Sequence, residues 1–265
     1  MDPAIFRDQY SEIADLGLVD DQIIGLDLAA LRLARLDYPD RSITPYLTVL
    51  DDLAGEVVNC VSQNDTVSRQ TIALARSFTR KGFHLGNGPE IRSSDMMRTI
   101  GTRSGNPISI AILYVSAARR AGLCAELFEL ANGTVARLGR PPQVNNIYFI
   151  SGPAFQFEAF NTNRRDPCAE TSPLSNREIL VNLLGQEASV ALAGHDIARA
   201  LVLYAKMCVI IPTHGPFWQR KAELEIRRGD ESSARKSLCS LLEMTGNNSV
   251  RCALLRVIKG LRPKN

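Results

Sequence analysis

Residues 107–120 carry apolar side chains on nearly every face of a helix: Ile108, Ile110, Ala111, Ile112, Leu113, Val115, Ala117 and Ala118 leave no polar stripe. A helix of this kind cannot lie on a surface and has to be enclosed by other elements. Pro107 suits its first turn, where a helix leaves N–H groups unpaired anyway, and Gly122 provides the stop. No apolar run reaches the roughly 20 residues that span a bilayer. The segment is therefore read as the centre of a globular core.

Its neighbours define the fold class. Between residues 20 and 61 apolar residues recur at helical spacing in two runs separated by Pro39. Pro45 fits the first turn of the second run, with Ser42 or Thr44 as cap. A third helix is expected over 67–81, ending at Gly82, and residues 82–89, with three glycines and a proline, read as a loop. Downstream, 124–130, 146–150 and 154–160 are short β-branched or aromatic runs bounded by Gly, Pro and Asn, which is the pattern of strands. From about residue 174 the pattern is helical again. Asp196 and Asp230, and likewise Ala200 and Ala234, stand 34 residues apart, and Pro212 and Trp218 fall where helix-pair repeats place a terminal Pro and a leading Trp. The expectation is an α+β, predominantly helical chain with a small antiparallel sheet and C-terminal helical hairpins.

Charge and cysteine usage exclude several classes. The chain holds 31 Lys and Arg against 28 Asp and Glu, so the total does not demand nucleic acid or anionic lipid. The distribution is uneven, with 4 basic and 13 acidic side chains in residues 1–65 but 11 basic and 5 acidic in 220–265. Six scattered cysteines without a CxxC pair make neither a disulfide framework nor a zinc site, and His84, His195 and His214 lie far from any cysteine pair. No metal or cofactor is expected. An acidic N-terminus lacks the basic region of a secretory signal, so the expected location is cytoplasmic.

The order of short motifs then matters. Leu33-Ala34-Arg35-Leu36-Asp37-Tyr38-Pro39-Asp40 is followed by Tyr46-Leu47 and Leu50-Asp51-Asp52-Leu53-Ala54. Next come Gly82-Phe83, Gly86-Asn87, Arg103-Ser104-Gly105-Asn106-Pro107-Ile108-Ser109 and Asn182-Leu183-Leu184. Together they resemble the bacterial SirB family of transglutaminase-like proteins over about residues 20–260. The resemblance implies a papain/transglutaminase-like core over 66–172, an acidic helical region over 1–65 packed on it, and tetratricopeptide-like repeats over 173–265. It also implies a nucleophile at the start of a buried helix, with a His and an Asp from neighbouring strands. A helix N-terminus lowers a thiol pKa and steadies an oxyanion, while an imidazole held by a carboxylate takes the proton.

Set on this sequence, the implied positions are Ser109, Asn146 and Glu158. No cysteine stands at the first and no histidine at the second. An amide cannot shuttle protons near neutral pH, so the constellation lacks a base, and Ser109 reads first as a first-turn hydroxyl. The leading expectation is a non-catalytic regulatory protein whose cleft and repeats bind a peptide or protein, with His84, Asn87, Arg103, Asn106, Tyr148 and Trp218 as binding residues. The competing expectation is an amide hydrolase or acyl transferase with Ser109 or Cys124 as nucleophile and His84 as base. Nucleic-acid binding by the basic C-terminal segment ranks third, because only Trp218 offers a stacking ring there.

Overall fold

The computed structural model describes residues 10–60, 67–86, 94–130, 133–139, 146–149, 168 and 171–261. Two compact units emerge, Asp20–Leu183 and Met1–Val19 with Leu184–Asn265, so the expected 1–65 segment is shared between them.

In the first unit a 3-10 turn, Asp21–Ile23, leads to helices α1 (Leu26–Arg35), α2 (Thr44–Cys60) and α3 (Val67–Arg80). Strand β1 (His84–Leu85), α4 (Met96–Thr102) and β2 (Ser104–Gly105) precede the central helix α5 (Pro107–Arg120). The sheet β3 (Ala125–Leu130), β4 (Gly133–Leu138) and β5 (Asn146–Phe149) follows. Every residue from Ile108 to Ala118 is buried. Helices α1 to α4 and strands β3 and β4 all contact α5, so it is enclosed as its composition requires. Asn106 caps it, its side-chain oxygen accepting from the Ser109 N–H at 2.7 Å, and Pro107 occupies the first turn. At the other end Gly122 adopts φ 79° and the Leu123 N–H donates to the Ala118 carbonyl, which closes the helix.

The sheet is antiparallel in the order β3-β4-β5, with Phe128 opposite Val135 and Ala136 opposite Tyr148. Strand β4 was not expected from its sequence. Its Arg137 is nevertheless buried, with the guanidinium 4.5 Å from the Phe128 ring centroid and bonded to Glu126 at 2.7 Å, so a charged residue serves as a core-facing one. The expected loop 82–89 contains β1, which pairs in parallel with β2, His84 to Ser104 and Leu85 to Gly105. The helical run expected from residue 20 begins as a 3-10 turn, Asp21–Ile23, whose apolar Ile23 is 75% exposed. The expected strand 154–160 lies outside the described residues.

In the second unit the 3-10 segment Ser11–Gly17 packs on α7 (Ile197–Ile210). A Cβ on Gly17 would stand 2.5 Å from the Val209 carbonyl oxygen, so only glycine permits this approach. Helix α6 (Asn176–Ala193) enters this unit from Leu184 onward, and α8 (Gly215–Arg227), α9 (Glu231–Met244) and α10 (Asn248–Gly260) complete it. The turns before α7 and α9 share four backbone hydrogen bonds at the same offset. Asp196 N–H reaches the Ala191 carbonyl and Asp230 N–H the Glu225 carbonyl, each at the same 34-residue offset. Each aspartate then caps its helix, accepting from Arg199 N–H and from Ser233 N–H. Ala200 and Ala234 are both fully buried.

Candidate functional site

The segment from β1 to the first turn of α5 gathers four of the expected site residues. Ser109 has no exposed surface, and among the described residues its Oγ makes no hydrogen bond. Ser104 Oγ, also buried, is likewise unpartnered. Asn106 spends its side-chain oxygen on the cap. Gly105 lets these elements meet: a Cβ there would lie 2.6 Å from Thr99 Cγ2 and 3.3 Å from Ser109 Cβ.

Arg103 holds φ 61°, an uncommon conformation for a non-glycine residue. Its guanidinium lies 4.8 Å from the Phe83 ring centroid, and among the described residues its buried Nη1 has no hydrogen-bond partner. His84 is exposed and lies on β1, where its N–H donates to the Arg103 carbonyl at 2.9 Å. The Gly82 carbonyl, 3.0 Å from His84 Nδ1, fixes the neutral ring as the tautomer with its proton on Nδ1 and its lone pair on Nε2.

Other expected residues lie elsewhere. Asn146 heads β5 opposite Leu138, and Tyr148 sits two residues further along that strand. Glu158 and Asn87 fall outside the described residues. Half-buried Cys124 follows the far end of α5, whose span from Ser109 to Arg120 is about 16 Å at 1.5 Å per residue. Cys124 and the β1–β2 pair are therefore at opposite ends of the helix. Trp218 belongs to the other unit, where its indole N–H donates to the Pro212 carbonyl at 2.8 Å and Lys221 Nζ stands 5.8 Å from its ring centroid. That position is turn closure, with the ring already shared. Among the described residues no cluster of His, Cys, Asp and Glu could hold a metal, and no helix is long and apolar enough to cross a membrane.

Sequence reasoning missed the charged end of α5. Arg120 bonds Asp27 through Nε at 2.6 Å and Asp51 through Nη1. Burial works against its charge, but hydrogen bonds and attraction from both carboxylates outweigh this and raise its pKa. The aspartates stand 93 and 69 residues away, so no local pattern advertised the cluster.

A family model described as "Transglutaminase-like superfamily" matches residues 44–162, from the start of α2 past β5. The chain thus contains a transglutaminase-like domain built around α5. A "UPF0162 protein" of Xylella fastidiosa is 24% identical over 246 residues, covering 86% of this chain and 87% of the relative. Another from a second strain is 24% identical over 247 residues, covering 87% of each. No solved structure matches the chain.

Proposed function

We propose that this chain is a non-catalytic member of the SirB group, a regulatory protein that binds a peptide or protein partner through its transglutaminase-like cleft and its helical hairpins. The observation that carries the reading is Ser109. At the start of the buried helix, where this fold class would set its nucleophile, stands a hydroxyl with no exposed surface and no hydrogen bond among the described residues. An alcohol becomes nucleophilic only when a base accepts its proton, and a helix N-terminus alone does not supply one. The second part of the reading rests on the tetratricopeptide-like C-terminal segment. Its 34-residue register recurs in the turns before α7 and α9, and its last helix, α10, has no buried residue and exposes Val250, Leu255 and Val257.

The test is covalent labelling of the full chain with an electrophilic acyl probe. The proposal expects slow, substoichiometric labelling that His84→Ala leaves unchanged. Rapid stoichiometric acylation of Ser109 or Cys124 that disappears in His84→Ala would establish the hydrolase or acyl-transferase reading instead. Against a displayed peptide library, substituting Arg103 by Ala should weaken capture, because its buried Nη1 has no partner among the described residues.

A further inference from the structure

At the C-terminal end of α5 the first unit contains a cleft of about 540 Å³, within the range of small-ligand sites. Ser116, Arg119 and Arg120 line it from α5, where spacings of three and four residues put them on one face. Ile24, Leu26 and Leu174 supply apolar wall. It lies at the opposite end of α5 from Ser109, so it is independent of the binding role proposed above.

The polar groups of this cleft are unequally satisfied. Asp27 is paired with Arg120, and Glu126 with Arg137. Asp21 accepts the N–H groups of Asn176 and Arg177 at 2.7 and 2.9 Å, capping α6. Arg119 is different. Its Nε donates to the Ala125 carbonyl at 3.0 Å and its Nη1 to Asn176 Oδ1 at 2.7 Å, both neutral acceptors. No carboxylate among the described residues makes an ion pair with it. Desolvation by burial lowers its pKa, against attraction from Asp21, Asp27 and Glu126. Beside it Ser116 Oγ is buried and makes no hydrogen bond among the described residues.

We propose that this cleft binds a small aliphatic carboxylate, either free or as the carboxyl terminus of a peptide, with its carboxylate held by Arg119 and Ser116 and its apolar arm against Ile24, Leu26 and Leu174. With Nε and one Nη1 hydrogen engaged, Nη2 and the second Nη1 hydrogen are the donors Arg119 has left for a carboxylate, and the Ser116 hydroxyl can add another. Around them the acidic side chains are already neutralised or engaged, and the aliphatic wall excludes water from the pair.

The experiment is calorimetric and NMR titration of the full chain with N-acetyl-L-leucine, with N-acetyl-L-leucinamide and with the tripeptide Gly-Gly-Leu. The acid should saturate and shift amides of residues 116–120, 24–27 and 174–176, while the amide binds about tenfold or more weakly, as loss of a charge-assisted hydrogen bond implies. Arg119→Lys keeps the charge but loses the fork, and should weaken the acid by about tenfold. Ser116→Ala, a small buried change, should weaken it by about threefold to tenfold and keeps the proposal testable if the arginine variant misfolds. Tighter binding of the tripeptide than of N-acetyl-leucine identifies a peptide terminus as the source; the reverse order identifies a free carboxylate. Equal affinity for acid and amide, shifts that map elsewhere, absence of saturation, or indifference to Ser116→Ala each overturns the proposal.

Discussion

Replacing Gly105 by alanine tests whether the start of α5 is assembled by close contact. The added Cβ would stand 2.6 Å from Thr99 Cγ2, 3.0 Å from Thr99 Oγ1 and 3.3 Å from Ser109 Cβ. Carbon atoms pack at about 3.5–4.0 Å, so the first contact is short by roughly 1 Å. Thr99 is 3% exposed, and its hydroxyl donates to the Asp95 carbonyl at 3.1 Å, so turning it away sacrifices a buried hydrogen bond. Overpacking of this type costs about 1–3 kcal/mol, offset by some 0.4–1 kcal/mol because alanine restricts the unfolded chain. A net loss of about 1–2 kcal/mol is expected. Thr99→Ser removes the offending methyl and keeps the hydroxyl, so the double variant should recover about 1 kcal/mol relative to additivity. The single tryptophan, Trp218, lies in the other unit, so its fluorescence would follow the wrong part of the chain. Urea titration should instead be read by amide hydrogen exchange across residues 104–118. A Gly105→Ala variant within about 0.5 kcal/mol of the parent, or strict additivity with Thr99→Ser, would refute the packing argument.

Glu56 and His195 give two further predictions. Ser77 Oγ donates to Glu56 at 2.7 Å, and Arg80 and Lys81 pair with it at 2.6 and 3.0 Å, tying α2 to α3; that hydrogen bond first, then the two cations, outweigh desolvation and lower its pKa from 4.5 to about 2. A depressed carboxylate stabilises the fold above its ordinary pKa and loses that effect as pH falls towards 2, so Glu56→Gln should cost about 1 kcal/mol at pH 7, discounted for solvent screening, and nothing near pH 2. Chemical denaturation of both proteins across that window checks it, and a pH-independent difference would count against the ionic origin. His195 occupies φ 58° where its counterpart 34 residues on, Gly229, has φ 77°; His195→Gly should raise stability by about 0.5–1 kcal/mol, read by Trp218 fluorescence in the same unit, and a destabilised variant would contradict the strain.

What the sequence made legible was what one helix can dictate locally. The bounds of α5, its Asn106 and Pro107 start and its Gly122 stop follow from capping chemistry within a few residues. So do the end of α3 at Gly82 and the paired caps Asp196 and Asp230. Strand β4 escaped because Arg137 breaks the apolar alternation, and its burial depends on Phe128 and Glu126 across the hairpin. Helix α4 escaped because seven residues, one of them glycine, are too few for a helical period to register. The cleft at the C-terminal end of α5 escaped for a different reason. Asn176 meets Asp21 across 155 residues, and Arg119 read alone is only the tail of an apolar helix.

The two ends of α5 divide the chemistry between them by electrostatics. A helix presents partial positive charge at its N-terminus and partial negative charge at its C-terminus. Arg119 and Arg120 therefore sit where the backbone favours cations, and Arg120 is further neutralised by Asp27 and Asp51. At the other end the positive terminus carries Asn106 and Ser109, and among the described residues Ser109 Oγ accepts from and donates to nothing. A thiol at position 109 would be drawn towards thiolate by that field. A serine hydroxyl, whose anion lies far outside the physiological range, gains only polarity from it and still requires a base. The buried terminus that would activate a cysteine therefore does less for Ser109, which is why the proposed binding role assigns a partner at this end to the exposed ring of His84 and the guanidinium of Arg103.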